Sequence, residues 1–161
     1  VIDPWSNLQV LCRTCNAQKH NRDDTDFRDV NASYEHRDPG CLFCDVADRI
    51  IEENELAFVV KDGHAVTIGH SLIIPRRHVA NYFDLHQSER NAIDQLLKLR
   101  REALIEGDKS IEGFNVGINV GEAAGQSVFH VHVHLIPRRA GDVDDPRGGV
   151  RGVIPGKRKY N

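Results

Sequence analysis

The chain contains no methionine, one tryptophan, four cysteines and an aromatic content of only 6% in 161 residues. No apolar run approaches the ~20 residues that a membrane-crossing helix needs, and no charged-then-apolar leader opens the sequence. A cytoplasmic protein with no membrane partner is therefore expected. Neither sign of charge dominates: 21 lysines and arginines stand against 24 acids, a formal net charge of −3. That balance excludes a binder that holds nucleic acid by bulk positive charge. Starting at Val1 without any methionine, the chain is expected to lack its true beginning. What is present, 40% hydrophobic residues over this length, suits one globular domain with a short appendage. Histidine is the one compositional excess, with nine copies.

The cysteines form two C-x-x-C pairs, Cys12/Cys15 and Cys41/Cys44. Two disulfides are one reading, but a chain with a core of this size and no leader favours reduced thiols and metal binding. A zinc ribbon built from all four cysteines, with 25 residues between the pairs, is a rival that needs no histidine. Around the first pair, Asn7-Leu-Gln-Val-Leu-Cys12-Arg-Thr-Cys15-Asn16-Ala-Gln-Lys19-His20 resembles the second half of an HNH-type nuclease module. The resemblance implies that Asn7 and His20 would help build a metal site, with the cysteines supplying half of a structural zinc site. An upstream hairpin bearing the general-base histidine and a second cysteine pair are both missing, and two thiolates cannot close a tetrahedral site. Residues 1–20 are therefore read as a partial HNH-like remnant; a plain exposed tail is the alternative. Residues 21–40 hold six acidic and three basic residues with few large apolar ones, which reads as a linker ended by Pro39-Gly40.

The domain proper spans 41–161. Leu42–Arg49 suits a short helix, and Leu56–Asp62 a strand. His70–Pro75 is a second strand, with Leu72 and Ile74 on one face and Ser71 and Ile73 on the other. Between Asp84 and Glu106, Ala92, Leu96, Leu99 and Ala103, widened by Ile93, Leu97 and Leu104, make a long amphipathic helix that Gly107 stops. Phe114, Val116, Ile118 and Val120 alternate with small polar residues as a half-buried strand. A last strand runs from Val128 to Ile136, with Pro137 closing it. The order lacks a βαβ rhythm, so the class is α+β: an antiparallel sheet of about five strands with one long and one short helix.

His130-Val-His132-Val-His134 lies in that last strand. Alternation puts the three imidazoles on one face, with Phe129, Val131, Val133 and Leu135 on the core side. Crowding three titratable rings carries a desolvation and repulsion cost that asks for a chemical purpose. The segment Gly125-Gln-Ser-Val-Phe-His130-Val-His-Val-His134-Leu-Ile136 resembles the histidine triad (HIT) superfamily of nucleotidyl hydrolases and transferases. Gly69-His-Ser-Leu-Ile-Ile-Pro-Arg-Arg-His78 and Cys41-Leu-Phe-Cys44 extend the match across residues 41–140.

The resemblance implies that His132 attacks the α-phosphorus of a nucleotide, that His134 donates to phosphate oxygens, and that Gln126 and Ser127 approach the leaving group and the phosphate. Small residues of the Gly121–Gly125 loop would let backbone amides reach a phosphate. Asp62 takes the position of a ribose-binding carboxylate, Phe43 and Val46 those that sandwich a base, and Asn119 one near the phosphate. Each also has an ordinary reading: Phe43 and Val46 as core, Asp62 as a strand-end turn residue, Asn119 as a cap. Zinc-holding relatives imply one structural Zn2+ on Cys41, Cys44, His78 and His130, a closed tetrahedral set with no place for substrate. If His130 binds zinc it is withdrawn from any proton relay with His70, whose catalytic part then stands less firmly.

Two departures stand out. The stretch before Gly69-His70 lacks the family's frequent proline, and the tail from Arg138 carries seven basic and three acidic residues, with Arg147, Arg151 and Lys157 as candidate contacts to a polyphosphate. The resulting expectation is a hydrolase of dinucleoside polyphosphates, working on a purine nucleotide as a homodimer. The alternatives are a nucleoside phosphoramidate hydrolase and a nucleic-acid-associated module, either an HNH fusion or an adenylate-removing repair factor.

Overall fold

The protein is described here from a computed structural model over residues 33–158. The HNH-like segment with Asn7, Cys12, Cys15 and His20, and the larger part of the expected linker, lie outside the described residues. Five strands form one sheet: β1 (Ile50–Glu53), β2 (Ala57–Lys61), β3 (Ser71–Pro75), β4 (Ile111–Gly117) and β5 (Val133–Arg139), in spatial order β1-β2-β3-β5-β4. Every neighbouring pair is antiparallel. A long α-helix, α1 (Gln87–Gly107), lies across one face.

Alternation divides the strands between two cores. Ala57, Val59, Ile73, Val133 and Leu135 pack under α1 against Ile93 and Leu96. Phe58, Val60, Leu72 and Ile74 point the other way, where Phe43, Val46 and Ile50 cover them. With both faces covered, β3 is buried along its whole length. The segment that seals the second face is not the expected short helix over 42–49. It folds as a turn at Cys41–Cys44 followed by a single 3-10 turn, Ala47–Arg49, because Phe43 and Val46 must both reach the sheet while the thiols turn inward. Strand β1 follows, and its Ile-Ile-Glu-Glu sequence has no period of two by which to recognise it.

Other boundaries shift as well. Helix α1 buries Ile93 and Leu96, whereas Leu99 is 49% exposed. Its sheet side is shared with Arg100, whose Nε donates to Ser71 Oγ at 3.0 Å and whose Nη1 donates to Glu52 Oε1 at 3.0 Å. Strand β4 begins three residues before the expected Phe114. As an edge strand it leaves Val116 half exposed. Strand β5 starts at Val133 and runs through Pro137, which does not close it. Pairing with β3 ends at Leu135, and the Pro137 carbonyl accepts from Thr67 Oγ1 at 2.9 Å, so the missing N–H falls where β3 no longer needs it. Phe129 precedes the strand in a turn and is 47% exposed, not in the core.

One buried ion pair ties the helix to the sheet. Glu89, fully buried in the first turn of α1, receives Arg77 Nε and Nη2 at 2.9 and 2.7 Å. Its Oε2 also accepts the His86 backbone N–H at 2.8 Å, so one carboxylate caps the helix and holds the loop after β3. Glu89→Ala would strand the Arg77 guanidinium in a largely buried place and is expected to cost about 3–5 kcal/mol. Urea unfolding checks this, with exposed Asp94→Ala expected to stay within about 0.5 kcal/mol of the parent.

Candidate active site and metal centre

Register brings the polar groups together. Val60, Leu72 and His134 stand in one row across β2, β3 and β5. The next position along that face holds Asp62, whose N–H donates to the His70 carbonyl at 3.1 Å. Asp62, His70, His132 and His134 therefore share the face away from α1. Gly69 makes this approach feasible: its φ is +91°, and a Cβ there would meet Leu104 Cδ2 at 2.8 Å and Pro137 Cγ at 3.2 Å.

Hydrogen-bond partners fix where the protons sit. The His132 Nδ1 lies 2.7 Å from the His130 carbonyl. A carbonyl only accepts, so Nδ1 carries the proton and Nε2 keeps a bare lone pair. The Val66 N–H donates to His70 Nδ1 at 3.3 Å, which leaves the His70 proton on Nε2. That proton faces His134 Nδ1 at 3.0 Å and Asp62 Oδ2 at 3.3 Å. With its Nδ1 accepting, neutral His134 carries its proton on Nε2 and presents a donor. Burial first, then the nearby His132 and His70, push the His134 pKa down to about 4, against the pull of Asp62. Burial also lowers His70, opposed by Asp62. The rings of His132 and His134 meet edge to face at 5.2 Å, and Phe43 lies against His132 at 5.2 Å. The site thus pairs an unprotonated ring nitrogen with a neutral N–H donor beside an aromatic ring.

Of the other expected site residues, Asp62 accepts the His64 N–H on Oδ1 at 2.7 Å while its Oδ2 turns to the histidines. Val46 is buried in the second core behind Phe43. Ser127 is exposed in the loop ahead of the triad, and Asn119 reaches the Gly125 carbonyl at 3.5 Å. Gln126 is buried, its Nε2 donating to the carbonyls of Ala80 and Val128 and its Oε1 accepting the Gly121 N–H. A buried amide is satisfied by backbone groups this way, so Gln126 staples the 121–128 loop ahead of the triad. The tail arginines also have partners within the tail, Arg147 with Asp145 and Arg151 with the Lys157 carbonyl.

Four further side chains meet at the other end of the triad. Cys41, Cys44, His78 and His130 each offer one ligand atom, all within 4.8 Å of one another. The His130 Nε2 donates to the Pro75 carbonyl at 2.8 Å, which leaves Nδ1 as a lone pair 3.4 Å from Cys41 Sγ and 3.7 Å from Cys44 Sγ. His78 Nδ1 lies 3.4 Å from Cys44 Sγ. A tetrahedral ion with sulfur and nitrogen ligands spaces its S and N atoms about 3.6 Å apart, so the donor set fits a thiophilic divalent metal. Asp62, His70 and His134 are also mutually close. There the His70 Nε2 already holds a proton, so that group is arranged for protons rather than for an ion.

Three contributors escaped the sequence reading: the Val66 amide, the Pro75 carbonyl and Asp38. The first two are backbone groups, which no residue type announces. Asp38 could have been noticed as the first residue of an Asp-Pro-Gly turn.

Comparison with known proteins agrees with this geometry. Residues 45–141 match the HIT domain family. Protein hit of Bacillus subtilis is 34% identical over 114 residues, covering 64% of this chain and 74% of that protein. Adenylylsulfatase HINT3 of Arabidopsis thaliana is 32% identical over 107 residues, 63% of this chain and 54% of that protein. The crystal structure of a Zn-bound histidine triad family protein from Mycobacterium smegmatis superposes with a TM-score of 0.58 at 33% identity, covering 64% of this chain and 78% of that one.

Because folded His134 holds its proton less tightly than an unfolded histidine does near pH 6.5, it contributes stability above that pH that is lost as the pH falls toward about 4. Denaturant unfolding from pH 6.5 down to 5, above the range of ordinary carboxylates, is expected to show His134→Asn with a shallower decline than the parent. The difference per group is at most about 1.4 kcal/mol per pH unit.

Proposed function

The chain belongs to the HIT domain family, and on that premise we propose that it hydrolyses dinucleoside polyphosphates through a covalent nucleotidyl-histidine. HIT proteins bind nucleotides and are generally nucleotide hydrolases or transferases. The observation that carries the finer reading is the His132–His130 hydrogen bond, which holds the proton on Nδ1 and leaves the Nε2 lone pair free to act as a nucleophile. In the first step the Nε2 lone pair forms a bond to the α-phosphorus, and the bond from phosphorus to the bridging oxygen breaks. The remaining nucleoside polyphosphate departs as an anion. The positive charge left on the imidazole is steadied by the His130 carbonyl at Nδ1–H. In the second step water attacks the same phosphorus, the P–N bond breaks, the water's proton passes to solvent, and a nucleoside monophosphate is released with His132 neutral again.

The His134 Nε2–H donates to the phosphate oxygens on which charge builds. His70 and Asp62 hold that donor in its tautomer. Phe43, backed by Val46, offers an apolar platform for a purine base, and the remaining lone pairs of Asp62 serve the ribose hydroxyls. Ser127 and Asn119 border the phosphate. Cys41, Cys44, His78 and His130 hold one structural Zn2+, which stiffens the segment sealing this face and takes no part in the chemistry. Pairing into a homodimer has an available surface at the exposed edge strand β4 with Val116. The adenylylsulfatase relative favours a second reading, in which the leaving group on the adenylyl phosphorus is broader than a polyphosphate and extends to phosphoramidates.

Incubation with a dinucleoside polyphosphate, acid-free quenching and mass spectrometry are expected to show one nucleoside monophosphate on the peptide containing His132. His132→Ala should lose turnover by on the order of 10⁴-fold with nucleotide binding retained. Retained turnover would overturn the mechanism, and parallel kinetics on an adenosine phosphoramidate and on adenylylsulfate rank the leaving groups.

A further inference from the structure

Residues 33–40 read as a linker, yet they are packed against the metal centre. Tyr34 Oη lies 2.5 Å from Ser88 Oγ at the start of α1. The His78 backbone N–H donates to the His36 carbonyl at 2.9 Å, and the two imidazoles meet edge to face at 5.7 Å. Asp38 then makes three kinds of contact at once. Its backbone N–H points at Cys44 Sγ at 3.3 Å. Its Oδ2 faces His78 Nε2, the ring nitrogen turned away from the thiols, at the ion-pair distance of 3.8 Å. Its Oδ1 and its carbonyl accept the N–H groups of Gly40 and Cys41, closing the Asp-Pro-Gly-Cys turn that delivers the first thiol.

These contacts have the form of an outer ligand shell. A metal-binding imidazole is made more basic and is held in place by an acceptor behind its second nitrogen, and a thiolate is steadied by an amide N–H. His130 has its acceptor in the Pro75 carbonyl at 2.8 Å, and the group behind the second nitrogen of His78 is the Asp38 carboxylate, at ion-pair rather than hydrogen-bond distance. We infer that residues 33–40 are the outer shell of the metal centre, with Asp38 positioning His78 and Cys44, so that loading the metal fastens the chain ahead of Cys41 onto the domain. The inference rests on the metal site proposed above. It gives that site a purpose other than catalysis: the ion is the clasp of a strap running from the start of α1 to the first cysteine.

The test uses the full 161-residue chain, stripped of metal and then titrated with Co2+ or Zn2+. Amide hydrogen exchange at Asp38 and His78 is expected to slow at least about tenfold on Zn2+ loading, since the Asp38 N–H ends on the Cys44 sulfur and the His78 N–H ties a ligand residue to the His36 carbonyl of the strap. Asp38→Ala should weaken Zn2+ against a competing chelator by about 10–100-fold and shift the ligand-field bands of the Co2+ form. It should also erase the metal-dependent protection of the strap. Asp38→Asn, which keeps an acceptor oxygen, should recover part of each effect. Asp38 is half exposed, so both variants are expected to fold. A strap whose exchange ignores the metal, or an Asp38→Ala protein with parental affinity and spectrum, would overturn the inference while leaving the metal site standing. No thiolate-to-cobalt band in the parent would overturn both.

Discussion

A single buried imidazole connects the parts of this protein that chemistry requires to be near each other. His130 is wholly removed from solvent and commits both ring nitrogens and its carbonyl: Nε2–H on the Pro75 carbonyl, Nδ1 toward the two thiols, and the backbone carbonyl on His132 Nδ1. The first bond anchors it to the end of β3, the second turns it toward Cys41 and Cys44, and the third selects the tautomer of the next histidine, His132. Burial holds the pKa of His130 down near 4, so the ring stays neutral and can carry a lone pair inward. Moving this ring would disturb the end of β3, the Cys41–Cys44–His78 cluster and the orientation of His132 together.

The rest of the fold supplies stiffness around that ring. Helix α1 covers the opposite face, and its buried Glu89 grips Arg77 immediately before His78. Arg100, further along the helix, reaches Ser71 beside His70. The two histidines that flank β3, one on the metal side and one on the relay side, are thus each one residue from a side chain tied to the same helix. On the face with the chemistry, the covering segment 41–50 is pinned by Phe43 and Val46 against Phe58, Leu72 and Ile74. The apolar seal and the thiols belong to one short stretch of chain, and the strap of residues 33–40 continues it to the start of α1.

Much of this was legible in the residues. Period-two alternation in Ser71–Pro75 is strong because β3 sits at the middle of the sheet, where each face must match its own core; the alternation of His130–His134 reads as one strand, yet β5 begins at Val133 and of the three histidines only His134 lies in it. The donor set was legible because two thiols and two histidines are scarce and chemically committed. What stayed hidden had physical reasons. Strand β1 lacks alternation since Ile51 and Glu53 sit at an edge that solvent reaches. The 42–49 segment has helical composition, but the sheet and the thiols pull its residues in different directions. Leu99 satisfied a helical stripe on paper, yet Arg100 competes for the sheet side with better partners. Gln126 gave no sign in the sequence of the three backbone groups that it ties together around the 121–128 loop. The pairing of Asp62 Oδ2 with His70 and His134 was likewise hidden, because it depends on the β2–β3–β5 register.

The repeat that makes the triad recognisable also creates an ambiguity that the fold has to resolve. Because histidine and valine alternate from 130 to 134, sliding β5 by two residues along β3 would leave every imidazole on the same face and every valine in the core. Hydrophobic pattern alone cannot tell the correct pairing from its neighbour. Pro137 removes the degeneracy in one direction. A slip that set Ile136 opposite Leu72 would bring Pro137 opposite Ser71, where Leu135 now stands and the ladder requires an N–H that proline does not have. A residue that performs no chemistry thereby decides which histidine occupies the donor position.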